Sequence, residues 1–552
     1  MTMKRRDVLL LMGGSAVAAA ALDLSEVEAQ TDHPRAKAGE PVKGWADKAE
    51  ALMPRLTETE QRPLSLVRAV PASDSPLRFR MEPEAPATDL AKRVLKKGDS
   101  VIVDFGGHRT GYLSFRLETE GREPDAPARL RFTFGEVPTD VAEPLYPYSG
   151  QLSSAWLPDE VVNIDYLPQP VRMPRRYAFR YVKIEVLDTS SGFGVRFEDV
   201  KAHAVTAARV TPPPLTGDSE LMRRIDDVST ATLRDCMQTT FEDGPRRDQR
   251  LWVGDLRLQA LTNYVTFKQN DVVQRCLYLF AAFPREDGLV AACVYEKPKA
   301  RYGGIHIVDY AALFNVTLRD YVEATGDADT GRDLWPAARR QLEIIGRDVS
   351  PEGLYVDPKN MWIFIDWSRE LDRNAAIQGL LIYAWQATAQ LARRIGQTAE
   401  GAEYEAQAAK MIAAARRAYW DAARAVFLSG PQRQLSWASQ AWMAIAGVSS
   451  RPESAQAMRT ALADPAAIKP VTPYLYHYVV EGLLAGGLTR EARAMLESYW
   501  GGMIKAGADT FWEIYDPAQP LSSPYGDIHI NSYCHAWSCT PAYLLRSGRL
   551  RV

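Results

Sequence analysis

The chain has 552 residues, of which 46% are hydrophobic and 24% charged, and its formal net charge is -3 at pH 7. This length is too great for one ordinary core and predicts two domains or one very large one. No concentrated basic run occurs beyond the N-terminus, so the chain lacks the cationic footprint of a nucleic-acid-binding protein and that class is excluded.

The first 29 residues have the features of an export signal. A basic run at 4–6 precedes an apolar stretch that ends near Leu22, and Val27 and Ala29 stand at positions −3 and −1 of a cleavage site. The adjacent arginines resemble a twin-arginine signal, which exports folded proteins. An uncleaved membrane anchor is disfavoured, because the apolar run is shorter than the roughly 20 residues that span a bilayer. We therefore expect a twin-arginine-type signal peptide over 1–29, a periplasmic or secreted protein, and no membrane span.

The cysteines and histidines give no sign of a metal site. The five cysteines form an odd set without close metal-ligand spacing, and the seven histidines include no HExxH pair. Cys534 and Cys539 are near enough in sequence to pair, but free buried thiols suit a protein that folds before export. We expect no metal and no cofactor.

Two composition changes divide the rest of the chain. Residues 30–95 are rich in proline, alanine and charge and are interpreted as a linker and irregular segment. From 96 to 207, short apolar or alternating runs separated by Gly and Pro predict an antiparallel β-sandwich. These runs are 101–105, 111–117, 129–134 and 180–186.

From 215 to 546 the hydrophobic period becomes helical. Leu221, Ile225, Val228, Thr232 and Cys236 are spaced by three and four residues, and the same spacing recurs in later segments. About 300 residues of successive helices with long loops favour an α/α toroid over a four-helix bundle. The predicted fold is an N-terminal β-sandwich followed by this helical toroid.

The first candidate site is the segment 242–255, which crowds acids, arginines and Trp252 between two predicted helices. Such a mixture can hold one carboxyl group protonated and another ionised, as glycoside hydrolysis requires. A surface ion-pair network is the alternative, but a solvated face needs neither the Gly-Pro turn nor a tryptophan.

Two further segments combine carboxylates with aromatic rings. Glu513 lies next to Trp512, where an apolar wall favours activation of water, although an acid at a helix N-terminus explains the pattern as well. In 362–368, Asp366 and Trp367 fit a sugar contact or a buried core connection equally well. His535, between Tyr533 and Trp537, fits either a structural role or a hydroxyl contact.

Four motifs, in order along the chain, resemble the glycoside hydrolase family 78 α-L-rhamnosidases. The segment 243–255 reads Asp-Gly-Pro-x-Arg-Asp-x-Arg-Leu-Trp-x-Gly-Asp and is similar to the signature loop of the family. The segments 104–112, 508–513 and 532–538 are similar to its sandwich motif, its Trp-Glu segment and its His-bearing closing segment.

The resemblance implies that the helical toroid is an (α/α)6 barrel and that the protein is a metal-free, exo-acting α-L-rhamnosidase with an inverting mechanism. The general base corresponds to Glu513 and, counting back from Asp255 at the family's spacing, the general acid corresponds to Asp248. Gln249 departs from the family, which commonly has a glutamate in this loop, so Asp243 remains an alternative acid. Substrate contacts are expected from the following residues: Asp243, Arg247, Trp252, Asp255, Asp366, Trp367, Trp512 and His535.

Two other functions stay open at this point. Polysaccharide lyases and unsaturated uronyl hydrolases use the same toroid, and fold alone does not fix function. A glycan-binding protein without catalysis is the third possibility, because Gln249 cannot donate a proton to a leaving group. In each case the expected partner is a carbohydrate.

Overall fold

A computed structural model of the chain describes residues 37–520 and 522–551, so the predicted signal peptide lies outside the described residues. The strands are β1 (Thr57–Gln61), β2 (Ser65–Pro71), β3 (Phe79–Pro86), β4 (Ser100–Gly121), β5 (Ala128–Gly135), β6 (Asp159–Ile164), β7 (Gln169–Arg172), β8 (Tyr177–Asp188), β9 (Phe193–Thr206), β10 (Leu251–Trp252), β11 (Cys293–Tyr295), β12 (Arg301–Tyr302), β13 (Trp420–Asp421) and β14 (Val426–Phe427).

The α-helices are α1 (Lys43–Ala51), α2 (Pro138–Ala142), α3 (Glu220–Cys236), α4 (Val253–Val265), α5 (Asn270–Ala282), α6 (Val308–Thr325), α7 (Ala328–Ile345), α8 (Asn374–Arg394), α9 (Thr398–Tyr419), α10 (Trp437–Ile445), α11 (Arg451–Ala463), α12 (Pro473–Ala485), α13 (Thr489–Lys505) and α14 (Pro541–Arg546). Strands thus dominate the first part of the described chain and helices the second, which confirms the predicted order of an antiparallel sheet domain and a helical domain.

The long strand β4 organises the N-terminal domain. Its first half pairs with β2 and β8, and its second half pairs with β7 and β9, with register shifts near Asp104 and Ser114. All these pairings are antiparallel, and β5 extends the sheet from β8 to β6. Alternate side chains of these strands bury an aromatic core that includes Phe115, Phe132 and Phe197.

The prediction of an irregular segment over 30–95 is wrong for much of its length. This region contains α1 and the strands β1, β2 and β3. The two outer strands were missed because each pairs on one side only, β1 with β9 and β3 with β2. Their exposed, proline- and glutamate-rich sequences lack the apolar alternation that marks a half-buried strand.

The helical domain contains twelve α-helices within the described residues, from α3 to α14. Alternate helices pack on one another: α4 on α6, α6 on α8, α8 on α10, and α10 on α12, while α14 packs on α4. In α6 nearly every residue is buried, whereas α9 buries one face. This is the arrangement of an inner ring of helices with a second ring outside it, as the helical periodicity predicted.

Loops at one end of this barrel meet the β-sandwich. Arg176 directly precedes β8, and its Nη2 donates to both carboxylate oxygens of Glu242, at 2.9 and 2.7 Å. Arg180 Nη1 lies 3.4 Å from Asp509 Oδ2. Both acids belong to the segments that the sequence marked as candidate sites. The sandwich therefore packs directly against the loops that contain the candidate site residues.

The five cysteines are all buried and free, as predicted. Cys236 and Cys534 lie next to one another, with their sulfurs 3.8 Å apart. Among the described residues, no helix combines the length and the apolar character that a membrane crossing requires.

Candidate active site

Asp243 fixes the shape of the loop between α3 and α4. Its Oδ2 accepts a hydrogen bond from the backbone N–H of Asp248 at 3.2 Å, and its Oδ1 accepts one from the N–H of Arg250 at 3.1 Å. The side chain is buried, and burial together with the negative charge of Asp248 raises the pKa of Asp243 to about 7. Asp243 therefore stabilises the conformation of the loop, and it retains a proton more readily than an ordinary aspartate.

Asp248 is the accessible carboxylate of this loop. Its side chain is 16% exposed, and its two oxygens lie 3.4 Å from Arg247 Nη1 and 3.2 Å from Arg250 Nη1. Gln249, which departs from the family motif, adopts a positive φ of 59° and donates a hydrogen bond from its side chain to the carbonyl of Pro245 at 2.9 Å. Of the two candidate acids, Asp248 is the one that a substrate can reach.

Glu513 lies in a pocket of hydrogen-bond donors. Arg247 Nη2 donates to its Oε2 at 2.6 Å, Tyr525 donates from its hydroxyl to Oε1 at 2.5 Å, and the N–H of Ser532 donates to Oε2 at 3.2 Å. An ionised carboxylate only accepts hydrogen bonds, so this set of donors matches the charged form. Glu513 is thus arranged as a carboxylate that can take up a proton.

Arg247 connects the two carboxylates. Its Nη1 faces Asp248, its Nη2 binds Glu513, and its Nε donates to the carbonyl of Ile530 at 2.5 Å. The guanidinium also lies 4.2 Å from the ring centroid of Tyr525, a cation–π contact. A different nitrogen of the planar guanidinium lies nearest each carboxylate, so Arg247 bridges Asp248 and Glu513.

Asp255 and His535 form a second buried pair beside this centre. Asp255 lies in the first turn of α4, and its Oδ1 is 3.2 Å from His535 Nε2. Burial acts to lower the pKa of His535, but the hydrogen bond to Asp255 and the charges of Glu513, Asp255 and Asp243 outweigh it and raise that pKa. Burial raises the pKa of Asp255. Within the described residues His535 Nδ1 has no hydrogen-bond partner, which leaves it available to a ligand.

The segment 362–368 divides into a buried acid and a partly exposed ring. Both oxygens of Asp366 are in use, since Oδ1 accepts from the hydroxyl of Thr472 at 2.5 Å and Oδ2 from the N–H of Val471 at 2.9 Å. Trp367 packs edge-on against Tyr525 at 5.8 Å, and no described residue accepts a hydrogen bond from its Nε1. Trp367 is therefore placed beside the centre, whereas the contacts of Asp366 favour the core connection that the sequence left open.

Trp252 and Trp512, the other two tryptophans predicted to contact the substrate, also differ in burial. Trp252 precedes α4, is half-buried, and has an Nε1 to which the described chain offers no acceptor. Trp512 is 1% exposed and packs edge-on against Tyr515 and Tyr533. Trp512 thus lies in the hydrophobic core behind Glu513. Its ring stabilises the segment that carries Glu513 and does not face the site.

Sequence reasoning missed one residue that the structure brings to the site. Tyr525 donates a hydrogen bond to Glu513 and lies against the guanidinium of Arg247, but its Pro-Tyr-Gly surroundings are those of an ordinary turn. Asp309, in the first turn of α6, is fully buried and accepts the N–H groups of Phe364 and Ile365 at 2.9 and 3.0 Å. Asp309 therefore holds the backbone of the segment 362–368 in place.

The side chains around the centre suit proton transfer and contact with a sugar ring. In the part of the chain that the structure describes, no three His, Cys, Asp or Glu side chains are arranged to hold a metal ion. Two ionisable carboxyl groups, a guanidinium and several aromatic rings remain, which together can transfer protons and hold a sugar ring.

Comparison with known families supports the same conclusion. Residues 63–204 match the N-terminal domain model of the glycosyl hydrolase family 78 alpha-rhamnosidases, and residues 215–547 match the bacterial alpha-L-rhamnosidase 6 hairpin glycosidase domain. No curated protein sequence matches the chain.

Solved structures resemble the chain over most of its length. A rhamnosidase from Klebsiella oxytoca with rhamnose bound is 44% identical, with a TM-score of 0.90, and the match covers 92% of this chain and 99% of that chain. A family 78 rhamnosidase from a Bacillus species is 22% identical, with a TM-score of 0.71, and there the match covers 86% of this chain and 51% of the other. The second similarity supports the fold alone.

Proposed function

Because the chain belongs to glycoside hydrolase family 78, we propose that it is an exo-acting α-L-rhamnosidase that hydrolyses its substrate with inversion. The choice of sugar is supported by the similar Klebsiella oxytoca rhamnosidase, whose structure holds rhamnose.

The observation that carries the mechanism is the position of Arg247 between Asp248 and Glu513. Inverting glycosidases keep their two carboxyl groups roughly 6.5–9.5 Å apart so that a water molecule fits beside the sugar, whereas retaining enzymes bring them to about 5–5.5 Å. The proposal therefore expects the wider separation. The bridge through Arg247 holds both carboxyl groups at one centre, as a mechanism with one acid and one base requires.

Asp248 acts as the general acid in this proposal. Its side chain is 16% exposed, whereas that of Asp243 is buried, so Asp248 is the carboxyl group that a leaving group can reach. In its protonated form it delivers a proton to the glycosidic oxygen as the bond to the anomeric carbon breaks. Asp243, whose oxygens bind backbone N–H groups, keeps the loop in position.

Glu513 acts on water from the other side. Its carboxylate removes a proton from a water molecule while the water oxygen bonds to the anomeric carbon on the face opposite the leaving group. The products are the free sugar and the protonated leaving group. Glu513 then releases its proton to solvent and Asp248 takes one up, which restores the starting state.

Hydrolysis of an aryl α-L-rhamnoside by wild type, Asp248→Asn and Glu513→Gln tests these roles. Each substitution removes one proton-transfer step, so we expect kcat to fall by about 10²- to 10⁴-fold in each. Asp226→Asn is the matched control, because Asp226 is fully buried but pairs with Arg546 away from the site. If wild type cleaves another aryl glycoside and no rhamnoside, the sugar assignment is wrong.

We also propose that the protein is exported through a twin-arginine signal to the periplasm or beyond. The basic run at 4–6 and the apolar stretch after it support this, and five free buried thiols suit a chain that folds before export. Replacing Arg5 and Arg6 by lysine tests the proposal by cell fractionation. Retention of the full-length variant in the cytoplasm supports it, whereas unchanged export contradicts a twin-arginine route.

A further inference from the structure

Two acids of the β-sandwich are buried against the barrel. Glu136 follows β5 and Asp140 lies in α2, and they are 2% and 1% exposed. Neither belongs to a motif of the family or to a candidate segment identified from the sequence. A buried carboxylate is costly unless charges and hydrogen bonds compensate it, so the partners of these acids indicate what they do.

Their main partner is Arg246, which lies in the catalytic loop two residues before Asp248. Arg246 Nε is 3.2 Å from an oxygen of Glu136, and its Nη1 and Nη2 both bind the carboxylate of Asp140. Arg246 Nη1 also donates to the carbonyls of His529 and Asn531, at 3.1 and 3.2 Å. The sandwich thus holds the acid-bearing loop through a fully desolvated ion cluster.

Glu136 also binds the segment that supports the general base. Its Oε2 accepts the N–H of Tyr533 at 2.8 Å, and the N–H of the preceding residue, Ser532, donates to Glu513. Its Oε1 is 3.0 Å from His108 Nε2, and His108 Nδ1 is 2.7 Å from Asp235 at the end of α3. One carboxylate therefore contacts groups next to both catalytic residues.

Arg246 and Arg247 bind alternate carbonyls of one short stretch. Arg246 takes those of residues 529 and 531, and Arg247 takes that of residue 530 while its Nη2 binds Glu513. A shift of Arg246 must therefore move Arg247, because the two are joined by one peptide unit and bind the same segment. That shift would change the positions of Asp248 and Glu513 relative to each other.

We infer that Glu136 and Asp140 are positioning residues of the active site, which set the relation between Asp248 and Glu513 through Arg246. The β-sandwich is then part of the catalytic apparatus and not only an appended domain. The inference rests on the proposed roles of Asp248 and Glu513. It concerns residues that touch neither the sugar nor the attacking water.

The kinetic test compares Glu136→Gln, Asp140→Asn and the control Asp226→Asn with wild type on aryl and methyl α-L-rhamnosides. Because a displacement of about 1 Å can cost 10²-fold in rate, we expect kcat to fall by about 10- to 100-fold in both sandwich variants while KM changes by less than about threefold. The loss is expected to be greater for the methyl rhamnoside, whose poorer leaving group depends more on the acid.

The control separates the effect of lost stability from the effect of displaced catalytic residues. Asp226→Asn also removes a buried acid from an arginine, at 2.6 Å, so we expect a lowered thermal midpoint with a kcat within about twofold of wild type. All assays are run where circular dichroism shows each variant folded. If folded Glu136→Gln and Asp140→Asn keep wild-type kcat, or if Asp226→Asn loses as much, the inference is overturned.

A crystal structure of Asp140→Asn, or of Glu136→Gln if the first does not fold, gives a result that does not depend on turnover. We expect Arg247 Nη2 to move out of hydrogen-bond range of Glu513 Oε2, and an unchanged contact of 2.6 Å overturns the inference. An inactive wild type would instead contradict the proposed function, and the crystallographic result would still decide the positioning role.

Discussion

Arg247 donates from Nη2 to Oε2 of Glu513 at 2.6 Å, joining residues 266 positions apart in the sequence. The same guanidinium faces Asp248 and binds the carbonyl of Ile530. Arginine can do all of this at once because its planar fork offers several donors in fixed directions. In the proposed mechanism, the relation between the general acid and the general base therefore depends on this one side chain.

Arg247→Lys should be far less active than the retained charge suggests. The ammonium of lysine is a compact point charge on a flexible chain and cannot hold both carboxylates and the carbonyl of Ile530. We expect kcat on an aryl α-L-rhamnoside to fall by about 10²-fold, measured with purified, folded protein. Arg546→Lys, which changes a half-buried arginine outside the site, should stay close to wild type. A fully active Arg247→Lys would show that this bridge is dispensable.

Gln249→Glu should change little, although it restores the residue common in the family. The side chain of Gln249 is exposed and turned toward the carbonyl of Pro245. We expect kcat within about twofold of wild type, and no recovery when the change is added to Asp248→Asn. Recovery of activity in the double variant would assign proton donation to position 249.

Asp366→Ala should act on stability and not on substrate binding. The change leaves the N–H of Val471 and the hydroxyl of Thr472 without their acceptor in a buried place. We expect the free energy of unfolding, from urea denaturation, to fall by about 2–4 kcal/mol while KM is nearly unchanged. A large rise in KM at unchanged stability would instead make Asp366 a substrate contact.

Asp243→Asn should make stability less dependent on pH. Burial and the charge of Asp248 raise the pKa of Asp243 from 3.8 to about 7, so between these values the folded chain binds a proton that the unfolded chain releases. The contribution of this group to stability is present below pH 3.8 and is lost as the pH rises to about 7. We expect the fall in unfolding free energy between about pH 4.5 and 7.5 to be smaller in the variant than in wild type. Equal falls would contradict the raised pKa.

Much of the fold could be predicted because its signals are local. The runs at 101–105, 111–117, 129–134 and 180–186 fall in β4, β5 and β8, where one face is buried and side chains alternate. The spacing of Ile225, Val228 and Thr232 marks the buried face of α3. The edge strands β1 and β3 were missed because edge strands need no apolar alternation.

The site could be predicted where a short motif carries it and not where distant segments meet. The loop containing Asp243 and Asp248 is contiguous, so its composition was visible in the sequence. Trp512 and Trp367 each stand next to an acid in the sequence. Trp512 lies in the core, whereas Trp367 lies beside Tyr525. The packing of helices and loops decides which ring is buried, and the sequence alone does not show it. The contacts of Glu136 and Asp140 with Arg246 join two domains, and no local pattern records them.

The central claim is single-displacement hydrolysis by Asp248 and Glu513, and the anomer first released tests it most directly. Wild type is mixed with an aryl α-L-rhamnoside and proton NMR follows the anomeric signals before mutarotation. The account predicts that β-L-rhamnose forms first and that the α anomer grows in later. Initial release of α-L-rhamnose would mean retention, with one carboxylate acting as a nucleophile, and would contradict the assignment of Glu513 as the general base.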